Sequence, residues 1–271
     1  MTRLSPRHPR YRSLRTRAHL ADLARTGLVV PEGLIAHGRG EAFDYFLGER
    51  TTPSARRAIR AAARWLANAR HPVVSVNGNV AALAADRVAR LQAARPGLLV
   101  EVNLYHRTAG RARKVAERLR DAGVVGVLGV RPTARIPGLP SDRARVDRRG
   151  IWVADVCLVP LEDGDRTTAL RRLGKRVIAI DLNPMSRTTV AADLPIVDEL
   201  TRALDRLVVE LGRVGPTTPG RFPSFDARGA RTAARRAMAT RVGSARGRPA
   251  AAGRASSRPG RGTPRRSRRT P

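Results

Sequence analysis

The chain is poor in cysteine, which excludes two kinds of structure. Cys157 is the only cysteine among 271 residues, so neither an internal disulfide framework nor a multi-cysteine metal site can form within one chain. It lies in an apolar run, residues 151–159, where a buried, inert thiol is favoured over a nucleophile. The five histidines show no metal-ligand spacing.

Several sequence signatures of enzymes and membrane proteins are also missing. The chain has no Gly-rich loop ending in Lys-Ser or Lys-Thr, and no Gly-x-Gly-x-x-Gly after a strand. No serine occupies a Gly-x-Ser-x-Gly elbow, so a Ser-His-Asp hydrolase is unsupported. No apolar run approaches the ~20 residues that span a bilayer. The Arg-rich start faintly resembles an organellar transit peptide, but we expect a folded first helix and a cytoplasmic protein.

The positive charge is large, but its distribution along the chain is more informative than its total. The formal net charge is +31, and Lys114 and Lys175 are the only lysines among 53 basic residues. This excess of arginine is more typical of a GC-rich genome than of selection for phosphate binding. Residues 213–271 contain sixteen arginines and one acid, Asp226. Aromatic residues make up 3%, so stacking platforms for single strands are scarce. Nucleic-acid binding through this basic tail remains the alternative function.

Apolar periodicity predicts an alternation of helices and strands. Helical spacing covers residues 12–26, 53–69, 80–94, 111–122, 166–173 and 198–211, the last with Asp198 as N-cap. Continuous apolar runs predict strands at residues 72–76, 98–104, 124–130, 151–159, 176–181 and 194–197. Strands separated by single helices imply a mostly parallel sheet with helices on both faces. The predicted fold is α/β and Rossmann-like, with an α-helical N-terminal extension.

The same pattern predicts where the folded part ends. Residues 1–70 form the helical extension packed on the core, and residues 71–212 form the Rossmann-like core, together one catalytic unit. After Gly212 the chain becomes rich in Gly, Pro, Ser, Ala and Arg, with few large apolar residues to offset the entropy of ordering. We therefore predict a disordered Arg-rich tail over residues 213–271, with at most a transient basic helix at 227–242.

Polar loops follow the predicted strands. Ligands of open α/β sheets bind beyond the carboxyl ends of the strands, so these loops outline one site. The turn at residues 77–79, Asn-Gly-Asn, either favours an anion at a helix N-terminus or simply caps that helix. Three carboxylates at residues 162–165 would suit Mg²⁺ or a substrate ammonium, although a solvated helix cap is the simpler interpretation.

Arginines in these loops indicate an anionic ligand. Asp181 at a strand end suits a ribose, and the following Arg187 and Thr188 suit phosphates. Ahead of the sheet, Arg39 stands between two glycines, which would let its guanidinium approach a ligand. The residues alone therefore indicate an α/β enzyme with an Arg-rich, anion-binding site at one sheet edge, and they do not indicate a reaction.

Six motifs in register carry a family resemblance. They are HPRY at residues 8–11, GLIAHGRGEAFDY at 33–45, VNGNVAAL at 76–83, ARIPGL at 134–139, VPLEDGDRT at 159–167 and AIDLNP at 179–184. The chain resembles the archaeal 4-phosphopantoate–β-alanine ligase, or phosphopantothenate synthetase, family over roughly residues 5–211. The resemblance implies a homodimeric Rossmann-like enzyme of coenzyme A biosynthesis. It also implies that 4-phosphopantoate and β-alanine are joined with ATP and Mg²⁺, through an acyl-adenylate and with release of AMP.

The resemblance also implies roles for individual residues. The residues assigned to ATP are Arg17, Arg39, Asp181, Leu182, Asn183, Arg187, Thr188, Asp198 and Glu199. Phosphopantoate is assigned to Asn77, Gly78, Asn79, Arg107 and Arg135. Catalysis is assigned to Arg135, Asp163 and Asp165, and the metal ligands stay unassigned. The chain departs from the family at His106, where tyrosine is commoner, and at Glu199, where asparagine usually follows the aspartate.

Overall fold

Helices and strands alternate along the chain in the computed structural model, which describes residues 5–8 and 10–245. Three helices come first, α1 (Tyr11–Arg25), α2 (Pro31–Leu47) and α3 (Pro53–Asn68). The alternating part comprises β1 (Pro72–Val76), α4 (Gly78–Ala94), β2 (Leu99–Val102), α5 (Ala109–Asp121), β3 (Ala134–Arg135), β4 (Arg145–Val146), β5 (Val156–Pro160), α6 (Gly164–Arg172), β6 (Arg176–Ile180), α7 (Arg187–Ala191), β7 (Leu194–Ile196) and α8 (Leu200–Leu211). The last element described is α9 (Ala227–Ala245). No helix in these residues is long and apolar enough to cross a membrane.

The main sheet is parallel and has the strand order β2-β1-β5-β6-β7. A single parallel bridge between Glu101 and Leu128 adds the beginning of a further strand beside β2. Counted with that bridge in chain order, the strands run 3-2-1-4-5-6, the doubly wound order of dinucleotide-binding sheets. The predicted α/β class is confirmed. Strand order reverses between β1 and β5, and we call the gap at their carboxyl ends the switch-point crevice.

Alternate residues of each strand enter two different cores. Val74 and Val76 face the core formed with α1, α3, α4, α5 and α8. Val73 and Cys157 face the second core, which α6 and the segment around the β3–β4 hairpin cover. Because both faces are covered, the strands are almost entirely buried, which explains their continuous apolar runs.

Local capping fixes where two helices begin. The Thr52 hydroxyl accepts a hydrogen bond from the Ala55 N–H at 3.1 Å, with Pro53 at the first helical position of α3. The predicted Asp198 cap is wrong, because Glu199 caps α8 through the N–H groups of Thr201 and Arg202, at 2.9 and 3.0 Å. The Asp198 carboxylate turns inward instead.

Two predicted strands are much shorter than their apolar runs, and the strand predicted at 98–104 spans only Leu99–Val102. Residues 124–130 contribute only the bridge at Leu128, because Gly126 and Gly129 have φ values of 65° and 82°, outside the strand region. The run 151–159 becomes a strand only at Val156. Helix α2 was not predicted, since its glycines and polar residues give no helical stripe and its position depends on tertiary contacts.

The chain stays folded beyond Gly212, which corrects the predicted boundary for residues 213–245, hereafter the C-terminal segment. Trp65 donates its Nε1–H to the Pro223 carbonyl at 2.8 Å. The Arg176 guanidinium lies 5.3 Å from the Trp65 ring centroid and 4.8 Å from that of Phe222, a cation–π arrangement with both rings. Residues 246–271, the rest of the predicted tail, lie outside the described residues.

Helix α9 completes a third small core. Ala234 is fully buried and Met238 nearly so, packed against Leu47, Leu182 and Val197. Alanine supplies much of the buried face of this helix, so its apolar pattern is weak in the sequence even though the packing is close. Leu182 belongs to the predicted nucleotide loop, so α9 packs directly against that loop.

Truncation tests this boundary. A chain ending at Gly212 should lose at least about 3 kcal/mol of unfolding free energy, because Trp65, Leu47 and Leu182 would lose their apolar neighbours. A chain ending at Ala245 is the control and should unfold near the full-length melting temperature. Thermal unfolding followed by circular dichroism measures both. Equal melting temperatures for the two truncated chains would contradict the structural role of the C-terminal segment.

Candidate functional site

Asn77 joins the two strands at the switch-point crevice. Its Nδ2 donates to the carbonyls of Pro160 at 3.3 Å and Leu161 at 2.9 Å, and its Oδ1 accepts the Val80 N–H at the start of α4. Leu161 has a φ of 52°, which is uncommon for a branched side chain and indicates local strain at the crevice. All polar atoms of the Asn77 side chain are therefore engaged within the protein.

The next two residues of this turn contact the α1–α2 connection and the first turn of α2. A Cβ atom on Gly78 would lie 2.5 Å from the Leu28 carbonyl oxygen, so only glycine permits this approach. The Asn79 Nδ2 donates to the Gly33 carbonyl at 2.8 Å. These contacts favour the structural one of the two interpretations of the turn, and a phosphopantoate contact there remains a prediction.

Helix α2 crosses the carboxyl edge of the sheet. Near its centre, Gly40 approaches Leu182, with 3.8 Å from the position of an added Cβ to Cδ1. On its other side Glu41 forms an ion pair with Arg17 of α1 at 2.6 Å, holding the two helices together. Arg39 lies on the exposed side of α2, and its charge reaches Asp181. The structure thus brings Arg39 and Leu182 to the same edge, while Arg17 is held at the α1–α2 contact.

Asp181 organises the loop after β6. Its carboxylate accepts the Asn183 N–H at 2.9 Å and the Ser186 hydroxyl at 2.6 Å. Burial raises the pKa of Asp181, and these two hydrogen bonds together with the charge of Arg39 oppose the rise. The loop is therefore held in one shape, with Asn183 and Arg187 at its surface.

The loops after β5 and β6 are packed together. The Thr188 hydroxyl donates to the Glu162 carbonyl at 2.6 Å and is buried. Gly164 lies against Arg187 so closely that a Cβ atom would be 2.8 Å from the Arg187 carbonyl carbon. As a result the first residues of α6 and α7 are in contact.

Asp198 is buried beneath this edge. It accepts the Thr51 hydroxyl at 2.6 Å and pairs with Arg202 at 2.9 Å, and Arg202 also pairs with Asp44 at 2.6 Å. Burial raises the pKa of Asp198, while Thr51 and Arg202 oppose the rise. Its oxygens are thus used within the protein, as are those of Glu199 at the α8 cap, so nucleotide contacts by these two side chains stay predictions.

The three acids after β5 lie in three different environments. Glu162 is buried and ion-paired with both Arg143, at 2.8 Å, and Arg166. Asp163 is partly exposed and pairs with Arg143 at 2.7 Å. Asp165 is exposed and lines a cavity of about 520 Å³ between α6 and the loop of residues 137–140. Only the last two can meet a ligand directly.

A segment anchored by Glu101 brings in Arg143, which the sequence reasoning missed. The fully buried Glu101 carboxylate accepts the N–H groups of Asp147 at 2.9 Å and Ile151 at 2.7 Å. Asn103 donates to the carbonyls of Arg143 and Arg145 at 3.2 and 3.0 Å. A polar side chain inside an apolar strand, as at Glu101, was the available signal for these contacts.

The remaining predicted residues have other surroundings. Arg107 donates to the carbonyls of Gly129 and Val130 at 2.7 and 2.8 Å, and burial lowers its pKa. Arg135 is exposed on β3, with Nη2 3.4 Å from the Leu139 carbonyl oxygen. Cys157 is fully buried, which raises its pKa to about 12 and confirms the buried thiol. No cluster of three metal-binding side chains occurs among the described residues.

Fold and site define a doubly wound α/β protein in which arginines and fixed acidic loops line the carboxyl edge of the sheet. More particularly, the chain belongs to the phosphopantothenate/pantothenate synthetase family, whose model matches residues 54–220. It is 52% identical over 214 residues to the 4-phosphopantoate–beta-alanine ligase of Thermococcus kodakarensis, covering 79% of this chain and 81% of that one. It is 56% identical over 197 residues to the protein of that name from Methanospirillum hungatei, covering 73% and 80%.

The buried Glu101 predicts a pH-dependent stability. Burial raises its pKa from 4.5 to about 7, so between these pH values the folded protein keeps a proton that the unfolded chain has released. The free energy of unfolding should therefore fall as pH rises from 4.5 to 7, by up to about 3 kcal/mol. In Glu101→Gln the side chain has one hydrogen-bond acceptor fewer at every pH, but it cannot titrate. Its free energy of unfolding should therefore lack this dependence on pH. Urea unfolding of the wild type and of Glu101→Gln across pH 4.5 to 8 measures both free energies. An equal dependence on pH in the two proteins would contradict a raised pKa for Glu101.

Proposed function

We propose that this protein is an ATP-dependent ligase that condenses 4-phosphopantoate with β-alanine to 4′-phosphopantothenate, the reaction named for its relatives. The pantoate carboxylate first attacks the α-phosphate of ATP, releasing diphosphate and forming an acyl-adenylate. The β-alanine amine then displaces AMP. A phosphate ester, a carboxylate and a triphosphate must meet in this reaction, so positive charge and oriented N–H groups must stabilise it.

The observation that carries the proposal is family membership combined with an arginine-lined switch-point edge. The charge of Arg39 reaches Asp181, Arg187 follows the same loop at the start of α7, and Arg17 is held at the α1–α2 contact by Glu41. We assign ATP to this region; Mg²⁺ would supply further positive charge for its phosphates, and its protein ligands stay unassigned. Asp181, Leu182, Asn183 and Thr188 would shape the pocket rather than carry its charge, since hydrogen bonds within the protein fix the loop.

The second substrate is assigned to the acids after β5. Asp163 and Asp165 are exposed enough to receive the β-alanine ammonium, and Arg135 would stabilise negative charge on the reacting carboxylate. We also propose a cytoplasmic homodimer, as the resemblance implies. Exposed apolar side chains on α2, Ile35 and Phe46, would support pairing of two copies.

The nucleotide product tests the reaction class. Incubation with ATP, 4-phosphopantoate and β-alanine should yield AMP and diphosphate, which separates a ligase from a pantoate kinase that would release ADP. Unphosphorylated pantoate should react poorly, because arginines would face an empty phosphate position. Chromatography of the nucleotides measures the first result and initial rates the second. Release of ADP, or equal turnover of pantoate and phosphopantoate, would reject the assignment.

Arg39 tests the nucleotide site. Arg39→Ala should lower kcat/KM by about 100-fold or more, roughly 3 kcal/mol for a lost charge-assisted pair. Arg39→Lys should recover only part, since an ammonium cannot reproduce the bidentate contact. Arg113→Ala removes an exposed arginine on α5 and should leave kcat/KM unchanged. Full activity in Arg39→Ala would remove this residue from the site.

Polyanion binding is a second candidate function, favoured by two adjoining helices without acids. Helix α3 contains four arginines and α9 contains five, with no carboxylate in either. The helices are joined by the Ser54 hydroxyl, which donates to the Ala230 carbonyl at 3.0 Å. In the described part of the chain, no ion pair engages the exposed arginines of these faces, Arg56, Arg57, Arg60, Arg64, Arg228, Arg235 and Arg236. Such a surface suits a duplex backbone.

Salt dependence tests this surface. The triple change Arg56→Gln, Arg60→Gln and Arg64→Gln should lower the slope of log affinity for duplex DNA against log salt by about 2 to 3. The control replaces three exposed arginines of α5, Arg113, Arg118 and Arg120, and removes the same charge elsewhere. Fluorescence anisotropy between low and moderate salt gives both slopes. Equal changes would show a general charge effect and not a binding surface.

A further inference from the structure

A chain of ion pairs runs from the interior of the sheet to the switch-point crevice. At its inner end, Arg166 donates from Nη1 to the Ser75 hydroxyl at 3.1 Å and pairs with Glu162. The other Glu162 oxygen lies 2.8 Å from Nη1 of Arg143. Arg143 in turn places its Nε 2.7 Å from the Asp163 carboxylate. Each member contacts the next, and the two arginines come from different parts of the fold.

Only one member of this chain of ion pairs is exposed to solvent. The side chains of Arg166, Glu162 and Arg143 are 0%, 1% and 7% exposed, whereas that of Asp163 is 44% exposed. Only Asp163 can therefore meet a substrate, and the other three act through it. Solvent does not screen the inner pairs, so their charges interact strongly. The close contact between Arg143 Nε and Asp163 is an ion pair without hydrogen-bond geometry.

The Asp163 side chain does not cap the helix that it precedes. It occupies the N-cap position of α6, where an aspartate normally accepts an N–H from the first turn. Its side chain makes no such hydrogen bond and lies against Arg143 instead. The position of this carboxylate is thus set by a tertiary contact and not by the helix that it begins.

We propose that Arg166, Glu162 and Arg143 form a positioning relay that holds Asp163 at the crevice to accept a proton from the β-alanine ammonium. The inference rests on the proposed ligase function and adds the residue roles for its second step. Buried ion pairs of this kind bring little net stability, which is consistent with a role in orienting a reactive group.

The second step combines proton transfer, C–N bond formation and loss of AMP. The ammonium is protonated at neutral pH, like that of lysine, and transfers one proton to the Asp163 carboxylate. The freed nitrogen pair forms the C–N bond with the acyl carbon, and the C–O bond to AMP breaks with its electron pair remaining on the AMP phosphate. The second nitrogen proton passes to solvent, as does the proton later released by Asp163.

The charges around Asp163 determine the expected pH dependence. It is faced by Arg143 from the hairpin, by Glu162, Asp165 and Arg166 of its own segment, and by Arg187 of α7, which packs on Gly164. Burial raises the pKa of Asp163, and Arg143 opposes this rise more than any other charge. Removing the Arg143 charge should raise the pKa further, so the base would become active only at higher pH.

Hydroxylamine separates the two half-reactions. It is unprotonated at neutral pH and captures an acyl-adenylate without a base. Arg143→Met, Glu162→Gln and Asp163→Asn should therefore keep phosphopantoate-dependent exchange of diphosphate into ATP and keep hydroxamate formation. β-Alanine ligation should fall about 100-fold in each. In Arg143→Met the acid limb of ligation should move to higher pH, and Arg143→Lys should partly restore both rate and profile.

Arg145→Met is the matched control, since Arg145 lies on the same hairpin but is 54% exposed and pairs only with Asp142 in the described residues. It should ligate like the wild type. Asp163→Asn changes a partly exposed side chain and keeps the test valid if a buried variant fails to fold. Wild-type ligation in Asp163→Asn, or equal loss of exchange and ligation in folded variants without a pH shift, would overturn the relay. A wild type without diphosphate exchange would instead reject the proposed ligase.

Discussion

Burial of the parallel strands on both faces is the constraint on which the rest of this structure depends. A strand covered by helices on each side has no place for charged side chains, so the polar residues that could meet a ligand collect where the strands end. Parallel orientation puts all those ends at one edge. The arginines of α1 and α2, the acids after β5 and the Asp181 loop therefore share a region although they are far apart in the chain.

The polar residues that do enter the buried sheet face have specific partners. Ser75 and Glu101 are neighbours across β1 and β2; one receives Arg166 and the other holds the backbone of residues 147–151. Since an unpaired polar group would be costly there, each fixes the segment that satisfies it. The loops at the edge of the sheet are thus held in place by polar contacts within the sheet and by α9, which packs against Leu182.

Much of the site could be predicted because loops that follow strands are recognisable by composition. Asp163, Asp181 and Arg187 were placed at one edge on that ground, and the structure brings them to it; Arg39 reaches the same edge from helix α2, ahead of the sheet. Arg143 could not be found in this way, since it lies in an irregular segment whose course depends on Glu101 and Asn103. Nor could the sequence show that the side chains of Asn77 and Asp198 form hydrogen bonds within the protein.

The sequence by itself determined the α/β class, the approximate bounds of the core strands and helices, and the family, because these depend on local periodicity and on long motifs. The tertiary structure decided the end of the folded part, the α8 cap and the surroundings of each acid. Helix α9 shows the physical reason. Its alanines carry little hydrophobic signal along the chain, yet they permit the close approach that buries Ala234 against Leu47 and Leu182. Such complementarity exists only once both surfaces have formed.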